Sequence, residues 1–128
     1  MVDRLDEQSR HAGQTRTQLT KTLLEEGLRM EAHPGIVFRS GPAGRRPGLA
    51  GGPDIWEVAR LFRSRHMSRS PNLNAIADEL SLSMNQVRAA LGYYADYKNE
   101  VDQWIEQLDR EADQLLAAFE RQQALLRD

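Results

Sequence analysis

The 128-residue chain contains no cysteine, which excludes a disulfide framework and any thiolate zinc site and suits a reducing cytosol. No run approaches the roughly 18 apolar residues of a membrane span. The opening VDRLDEQSRHAG is charged where a signal peptide would be apolar, so a soluble, cytoplasmic protein is expected. His11, His33 and His66 stand in different segments, without metal-ligand spacing to one another or to a carboxylate. No Ser-His-Asp arrangement and no glycine-rich phosphate loop can be found. The many carboxylates fall on helix faces that read as solvated, where they act as surface charge rather than as general acids. These absences predict no catalytic residue, no metal and no cofactor, hence a binding protein and not an enzyme. A chain this short holds one modest domain or two very small ones, and it buries a core only if its modules share one or pair with another chain. A dimer or a complex is expected.

What the chain does have is unevenly placed charge. Residues 1–36 carry net −1, residues 37–70 net +5 and residues 72–128 net −6, within an overall −2. A basic middle suits a phosphate backbone and an acidic tail repels one, so the tail should face something other than nucleic acid. Next to the basic stretch, Leu73 to Tyr94 reads as a helix-turn-helix. Ile76, Ala77 and Leu80 stripe a first short helix, Ser81-Leu82-Ser83 makes the turn, and Val87, Ala90 and Leu91 stripe the second. Ser83 and Gln86 form a capping box that starts this second helix. Ser83, Asn85, Gln86 and Arg88 lie early on it, where polar side chains read base edges when a recognition helix enters a major groove. Arg63, Arg65 and Arg69 lead into the motif and are placed for backbone phosphates, or for a solvated basic loop. Two helices at a steep angle are also an ordinary way to pack, and Ser81 replaces the glycine usual in the DNA-binding turn. The motif alone leaves DNA contact open.

The flanking segments read as follows. Val2 to Ala12 forms a short helix stopped by Gly13. Thr15 and Gln18 make a capping box, opening a helix striped by Leu19, Leu23, Leu24 and Leu28 that runs to about Met30. His33-Pro34-Gly35 ends it. Ile36 to Arg39 and Pro47 to Ala50 form a small hairpin or irregular arm, with Arg45 and Arg46 solvated in the turn between them. A phosphate cradle of Gly41, Gly44, Arg45 and Arg46 is the competing reading, although its spacing matches no nucleotide-binding loop. Asp54 and Glu57 form another capping box, launching a helix with Ile55, Val58, Ala59 and Phe62 inward that ends near His66 or Met67. Ser70 then caps the next helix ahead of Pro71. From about Asn99 onward, Val101, Trp104, Ile105, Leu108, Ala112, Leu115, Phe119 and Leu126 stripe one long amphipathic helix, with Asp102, Glu106, Asp109 and Asp113 along another face. So small a chain cannot easily bury that whole stripe, so the helix should dock on a partner. A dimerising coiled coil is the alternative, with Gln122 near its seam.

Two resemblances add to this reading. The segment LDEQSRHAGQTRTQLTKTLLEEGL resembles the two helices of a ribbon-helix-helix repressor, a family in which chains pair through a strand ahead of the first helix. Here Met1 stands where that strand would already have ended, as a start codon set too far downstream would produce. The resemblance therefore implies dimerisation and not DNA reading. The stretch HPGIVFRSGPAGRRPGLAGGPDIWEVARLF, then LSLSMNQVRAALGYY and VDQWI, resembles a bacterial family, domain of unknown function four-thirty-three, over about residues 33–106. Members are typically antitoxin-like, of the VapB type, paired with a toxin of PIN or PIN-like ribonuclease fold. Such antitoxins often bind their own promoter and neutralise the toxin with a C-terminal segment.

The resemblance thus implies an antitoxin of a type II toxin–antitoxin module, a homodimer that inhibits a PIN-like ribonuclease toxin and represses its own promoter. Trp104, Leu108, Arg110, Leu115, Phe119, Arg121, Leu126 and Arg127 become the toxin-binding candidates. Of these, Arg110, Arg121 and Arg127 are candidates to face the magnesium-binding carboxylates of such a nuclease, while the helix's acidic face is a candidate mimic of RNA phosphates. The expected fold is mostly α. It comprises ribbon-helix-helix-like N-terminal helices (1–32), a helix-turn-helix central domain with a small β arm (33–97) and a long C-terminal helix (98–128). The alternatives are a stand-alone helix-turn-helix transcriptional regulator whose last helix only dimerises, and an adaptor that uses the motif for protein contact.

Overall fold

A computed structural model of the chain describes residues 2–12, 15–41, 44–67 and 72–127. The architecture is mostly α, with six helices and one two-stranded antiparallel sheet among the described residues. Helix α3 (Ile55–Met67) is the central element. It packs against β2 (Gly44–Leu49), α4 (Leu73–Leu80), α5 (Met84–Asp96) and the start of α6 (Lys98–Arg127). Its Ile55, Val58 and Ala59 have no exposed surface, and around them close Ile36, Leu49, Ile76, Val87, Ala90, Tyr93, Val101 and Ile105. These apolar positions recur at helical spacing on each element, so every helix contributes one face to a common core.

The helix-turn-helix forms as the sequence predicts. Ile76 and Ala77 of α4 meet Val87 and Ala90 of α5 in the core, and Leu82 in the turn packs against it. Ser81 ends α4 in the left-handed region, at φ 55° and ψ 46°. A conformation that favours glycine is thus held by a side-chain-bearing residue. The Ser83–Gln86 capping box is complete in both directions. Helix α4 is capped by the Asn72 side chain, which accepts from the Asn74 N–H, whereas the sequence pointed to Ser70; Ser70 and Pro71 lie outside the described residues.

The hairpin is longer than its apolar residues suggest. β1 (Ile36–Gly41) pairs with β2 from Ile36 opposite Leu49 to Gly41 opposite Gly44. Arg45 and Arg46 are therefore strand residues and do not sit in a solvated turn. Their guanidinium groups are ion-paired: Arg45 Nε lies 2.7 Å from the buried Glu26 carboxylate, and Arg46 pairs with Asp54. A phosphate cradle is overturned with the turn, because both arginines already have carboxylate partners. Asp54 also receives Arg39 Nη1 at 2.8 Å and the Trp56 indole N–H at 3.2 Å. Arg39 goes on to donate to the main-chain carbonyls of Leu49 and Gly52. The guanidinium crosses directly over Gly48, where a Cβ would collide with it. Only half of the expected Asp54–Glu57 capping box forms. Glu57 accepts from the Asp54 N–H at 2.8 Å, but the Asp54 carboxylate is taken by the two arginines.

Helix α1 (Val2–Ala12) packs on α2 (Arg16–Ala32), which opens on the complete Thr15–Gln18 capping box. The leucine stripe of α2 is not buried as a unit. Leu19 is 2% exposed, while Leu24 and Leu28 are 66% and 68% exposed. The end of α2 is held instead by polar contacts. Arg29 lies 3.9 Å over the Tyr97 ring and donates to Tyr93 Oη at 2.9 Å and Glu100 at 2.7 Å. His33 Nε2 sits 2.9 Å from Asp96, edge-on to Tyr93 and Tyr97.

Two substitutions test this description. Asp54→Asn should lower unfolding free energy by roughly 2–3 kcal/mol, since it leaves two part-buried guanidinium groups without their counter-charge. Ser81→Gly should raise it by about 0.5–1 kcal/mol through relief of the left-handed strain, net of the greater backbone entropy of glycine. Urea midpoints read both, and an unchanged midpoint for Asp54→Asn would contradict the role given to that carboxylate.

Candidate functional site

Two surfaces hold the residues expected to carry function: the start of α5 with the arginines of α3, and the distal part of α6. On α5, Asn85 and Arg88 are exposed, and Arg88 has no ion-pair partner among the described residues. Ser83 and Gln86 are engaged with each other. Ser83 Oγ accepts from the Gln86 N–H at 3.1 Å and Gln86 Oε1 accepts from the Ser83 N–H at 2.9 Å, which leaves the Gln86 amide N–H₂ and the Ser83 hydroxyl hydrogen as donors.

The structure does not gather the expected phosphate-binding arginines into one patch. Arg63 turns toward α6, 3.5 Å from Asp102, and Arg65 turns toward α4, with Nη2 3.1 Å from Glu79. Arg69 lies outside the described residues. Arg60 pairs with Asp109 of α6. Together with Arg39, Arg45 and Arg46, every described arginine of residues 37–70 thus faces a carboxylate. The excess of positive charge in the middle of the sequence is largely met within the fold.

Asp102 is the second convergence point. It accepts from Tyr94 Oη and from Lys98 Nζ, each at 2.6 Å, and lies beside Arg63. Burial acts to raise its carboxyl, but the hydrogen bonds from Lys98 and Tyr94, with the charges of Lys98 and Arg63, outweigh that and hold it below its ordinary value. The Tyr94 phenol is pushed up by its own burial and by its bond to the Asp102 carboxylate. Tyr93 is likewise raised by burial, against the opposing hydrogen bond from Arg29.

Helix α6 divides into two parts. In its first part Val101 and Ile105 are buried in the core, and Trp104 and Leu108 are half-buried. The Arg60–Asp109 pair marks the end of that docked part. Beyond it the stripe continues into solvent: Leu115 is 73%, Phe119 55% and Leu126 79% exposed. Arg110, Arg121 and Arg127 are exposed along the same part, with Arg110 donating to Gln107 on its own helix. The partner-binding candidates therefore fall into two sets, Trp104 and Leu108 on the docked part and the rest on the open part. The acidic face divides the same way. Asp102 and Asp109 are engaged inside the fold, whereas Glu106 and Asp113 have no ion-pair partner among the described residues.

Residue reasoning overlooked two features. One is the Asp54 junction, whose signal was three arginines at 39, 45 and 46 around a single acidic residue. The other is a cavity bounded by Trp56, Tyr93 and Trp104, residues of three separate helices that no sequence spacing brings together. Of the histidines, His33 is committed to Asp96, and the side chains of His11 and His66 lie outside the described ones. Among the described residues no cluster of three or more His, Cys, Asp or Glu is arranged to hold a metal ion, and no helix is long and apolar enough to cross a membrane. Comparison with known protein families, with curated proteins and with solved structures finds no match for this chain.

The Asp102 cluster makes a pH prediction. A carboxyl held below its ordinary value of 3.8 stabilises the fold fully above that pH and loses its contribution as pH falls through the lowered folded value. Asp102→Asn should reduce stability at neutral pH by roughly 1.5–3 kcal/mol and flatten the fall in stability below about pH 4. Thermal melts of both proteins across that range decide it, and parallel acid limbs would contradict the assignment.

Proposed function

We propose that the chain is the antitoxin of a bacterial type II toxin–antitoxin module, binding and inhibiting a PIN-like ribonuclease toxin and repressing its own promoter. The observation that carries this reading is the open part of α6. Leu115, Leu116, Phe119, Leu125 and Leu126 are each more than half exposed on the stretch of α6 beyond Asp109. Leu115, Phe119 and Leu126 fall on one face of the helix, and an exposed apolar face of this kind fits the groove of a partner protein, in the helix-in-groove mode of recognition. The family resemblance supplies the identity of that partner.

The helix-turn-helix supports the promoter role, through Asn85, Arg88 and the free amide of Gln86. Because the α3 arginines are paired internally, base contact by α5 carries more of this role than a basic patch does. Exposed Leu24 and Leu28 on α2 support a second copy of the chain packing there. The stand-alone regulator keeps one observation in its favour. Leu108 and Leu115 stand seven residues apart, as in a dimerising seam, although Gln122 interrupts the series.

Co-expression with the product of the neighbouring gene tests the reading. Val101 and Ile105 belong to the core, so the informative truncation ends at Arg110 and keeps them. The full chain should co-purify with the neighbour and suppress its ribonuclease activity, while the folded truncation does neither. Leu115→Asp with Phe119→Asp should weaken the complex by about 100-fold or more, as expected for central apolar anchors. Binding to its own upstream DNA should be reduced by Arg88→Ala and, with the α3 arginines paired internally, should weaken only modestly with salt. DNA binding without any retained neighbour, with loss of the dimer on truncation, would install the regulator reading instead.

A further inference from the structure

Helix α2 carries a second stripe besides the one that holds it to the fold. Its buried residues are Leu19 and Glu26. With 3.6 residues per turn, Leu24 and Leu28 stand about 140° and 180° round the helix from Leu19. They are 66% and 68% exposed. Thr17, Lys21 and Glu31 are exposed on the same face, and the five positions follow one another at steps of four, three, four and three. That spacing is the one that sets one helix against another along a seam.

The charges on this face say what covers it. Lys21 and Glu31 have no ion-pair partner among the described residues. Glu31 also lies in the last turn of α2, where the helix dipole disfavours an acid. The face is balanced about position 26: Leu24 and Leu28 stand two residues to either side of it, and Lys21 and Glu31 stand five. A second α2 laid antiparallel across the first therefore sets Leu24 against Leu28 of the second copy. The same alignment sets Lys21 against Glu31 of the second copy, and by symmetry it does so twice. A parallel pair would instead bring lysine to lysine and glutamate to glutamate. Opposite charges at both ends thus select the antiparallel, two-fold arrangement.

We propose that two copies of the chain pair through this face of α2, antiparallel and two-fold symmetric, with Leu24 and Leu28 at the centre and a Lys21–Glu31 ion pair at each end. The inference rests on the reading, given above, that a second copy packs on α2. It adds the register and the charges that set it, and it needs neither the distal part of α6 nor a ribonuclease. With two leucines a side, the contact is smaller than the roughly 1,600 Å² of a standard interface, so a dissociation constant on the order of 10–100 µM is expected.

Sedimentation equilibrium of the full chain at low salt, from about 5 to about 500 µM, spans that constant and reads the pairing. Lys21→Glu and Glu31→Lys should each weaken self-association roughly tenfold, because each sets like charges together at both ends. An equimolar mixture of the two variants should pair as tightly as the unsubstituted chain, since every charge then meets its opposite. The double exchange, Lys21→Glu with Glu31→Lys in one chain, should do the same. Both positions are exposed, and unchanged thermal melts verify that the variants fold. Leu115→Asp with Phe119→Asp, on α6, should leave the pairing intact. A full chain that stays monomeric throughout that range overturns the second-copy reading and this inference with it. A dimer that the charge variants do not weaken, or that mixing does not restore, overturns the α2 register alone. Loss of that dimer in the α6 variant would then move the interface to the last helix.

Discussion

Asp54 governs how this small chain holds a β hairpin against a bundle of helices. A two-stranded hairpin is marginal by itself in water, and this one offers the core little beyond Ile36, Leu49 and the half-buried Phe38. It is fixed by charge as well. Arg39 from one strand and Arg46 from the other converge on the Asp54 carboxylate, which precedes the first turn of α3. Arg39 also reaches the Leu49 and Gly52 carbonyls, so the same guanidinium satisfies the connection between β2 and α3. Glycine at 48 leaves the path for that side chain clear. The central helix, the hairpin and the link between them are positioned by one carboxylate.

The same device recurs wherever an element outside the core must be held. Arg29 joins the end of α2 to Tyr93, Tyr97 and Glu100, and its guanidinium remains firmly charged because bonds to Glu100 and Tyr93 outweigh the opposing effect of burial. Arg45 reaches from β2 to Glu26 on α2, and that hydrogen bond raises its pKa. Several of these pairs are half-exposed, so each is worth little alone. Those with a buried carboxylate act differently, because loss of one partner leaves an uncompensated charge. Such contacts specify where α2 and the hairpin sit more than they add to overall stability.

What could be read in the sequence was what local chemistry decides. The helix periods, the Thr15–Gln18 and Ser83–Gln86 boxes, the helix-turn-helix and the long last helix all depend on residues within a few positions of one another, and all appear in the structure. Errors arose where a distant residue outcompeted a near one. Glu57 and Asp54 have the spacing of a capping box, but the Asp54 carboxylate goes to arginines 8 and 15 positions away. Gly41 and Gly44 marked a turn, yet Arg45 and Arg46 were drawn into a strand by partners on α2 and before α3. The leucines of α2 predicted a buried stripe, and the structure buries Glu26 there while leaving Leu24 and Leu28 open. The candidate site was legible by residue type on α5 and α6. Its division into docked and open parts was not, because periodicity continues unchanged through Asp109.

Charge segregation along the chain takes on a different meaning once the pairs are known. A basic middle and an acidic end invite the inference of two external partners, one a polyanion and one a cationic surface. In the fold, Arg60 and Arg63 of the middle meet Asp109 and Asp102 of the end, and Arg65 meets Glu79. The segregation is thus in part an internal complementarity, which selects the docking of α6 on α3. What remains for a partner beyond Asp109 is a helix whose Glu111, Asp113 and Glu120 are nearly balanced by Arg110, Arg121 and Arg127, around an uncovered apolar stripe. Mimicry of RNA phosphates would require unpaired acidic groups in a row, and two of the four proposed for it are engaged within the fold. The distal helix therefore presents apolar area first and charge second, and recognition of the proposed partner should be governed by the fit of Leu115 and Phe119 more than by ionic strength.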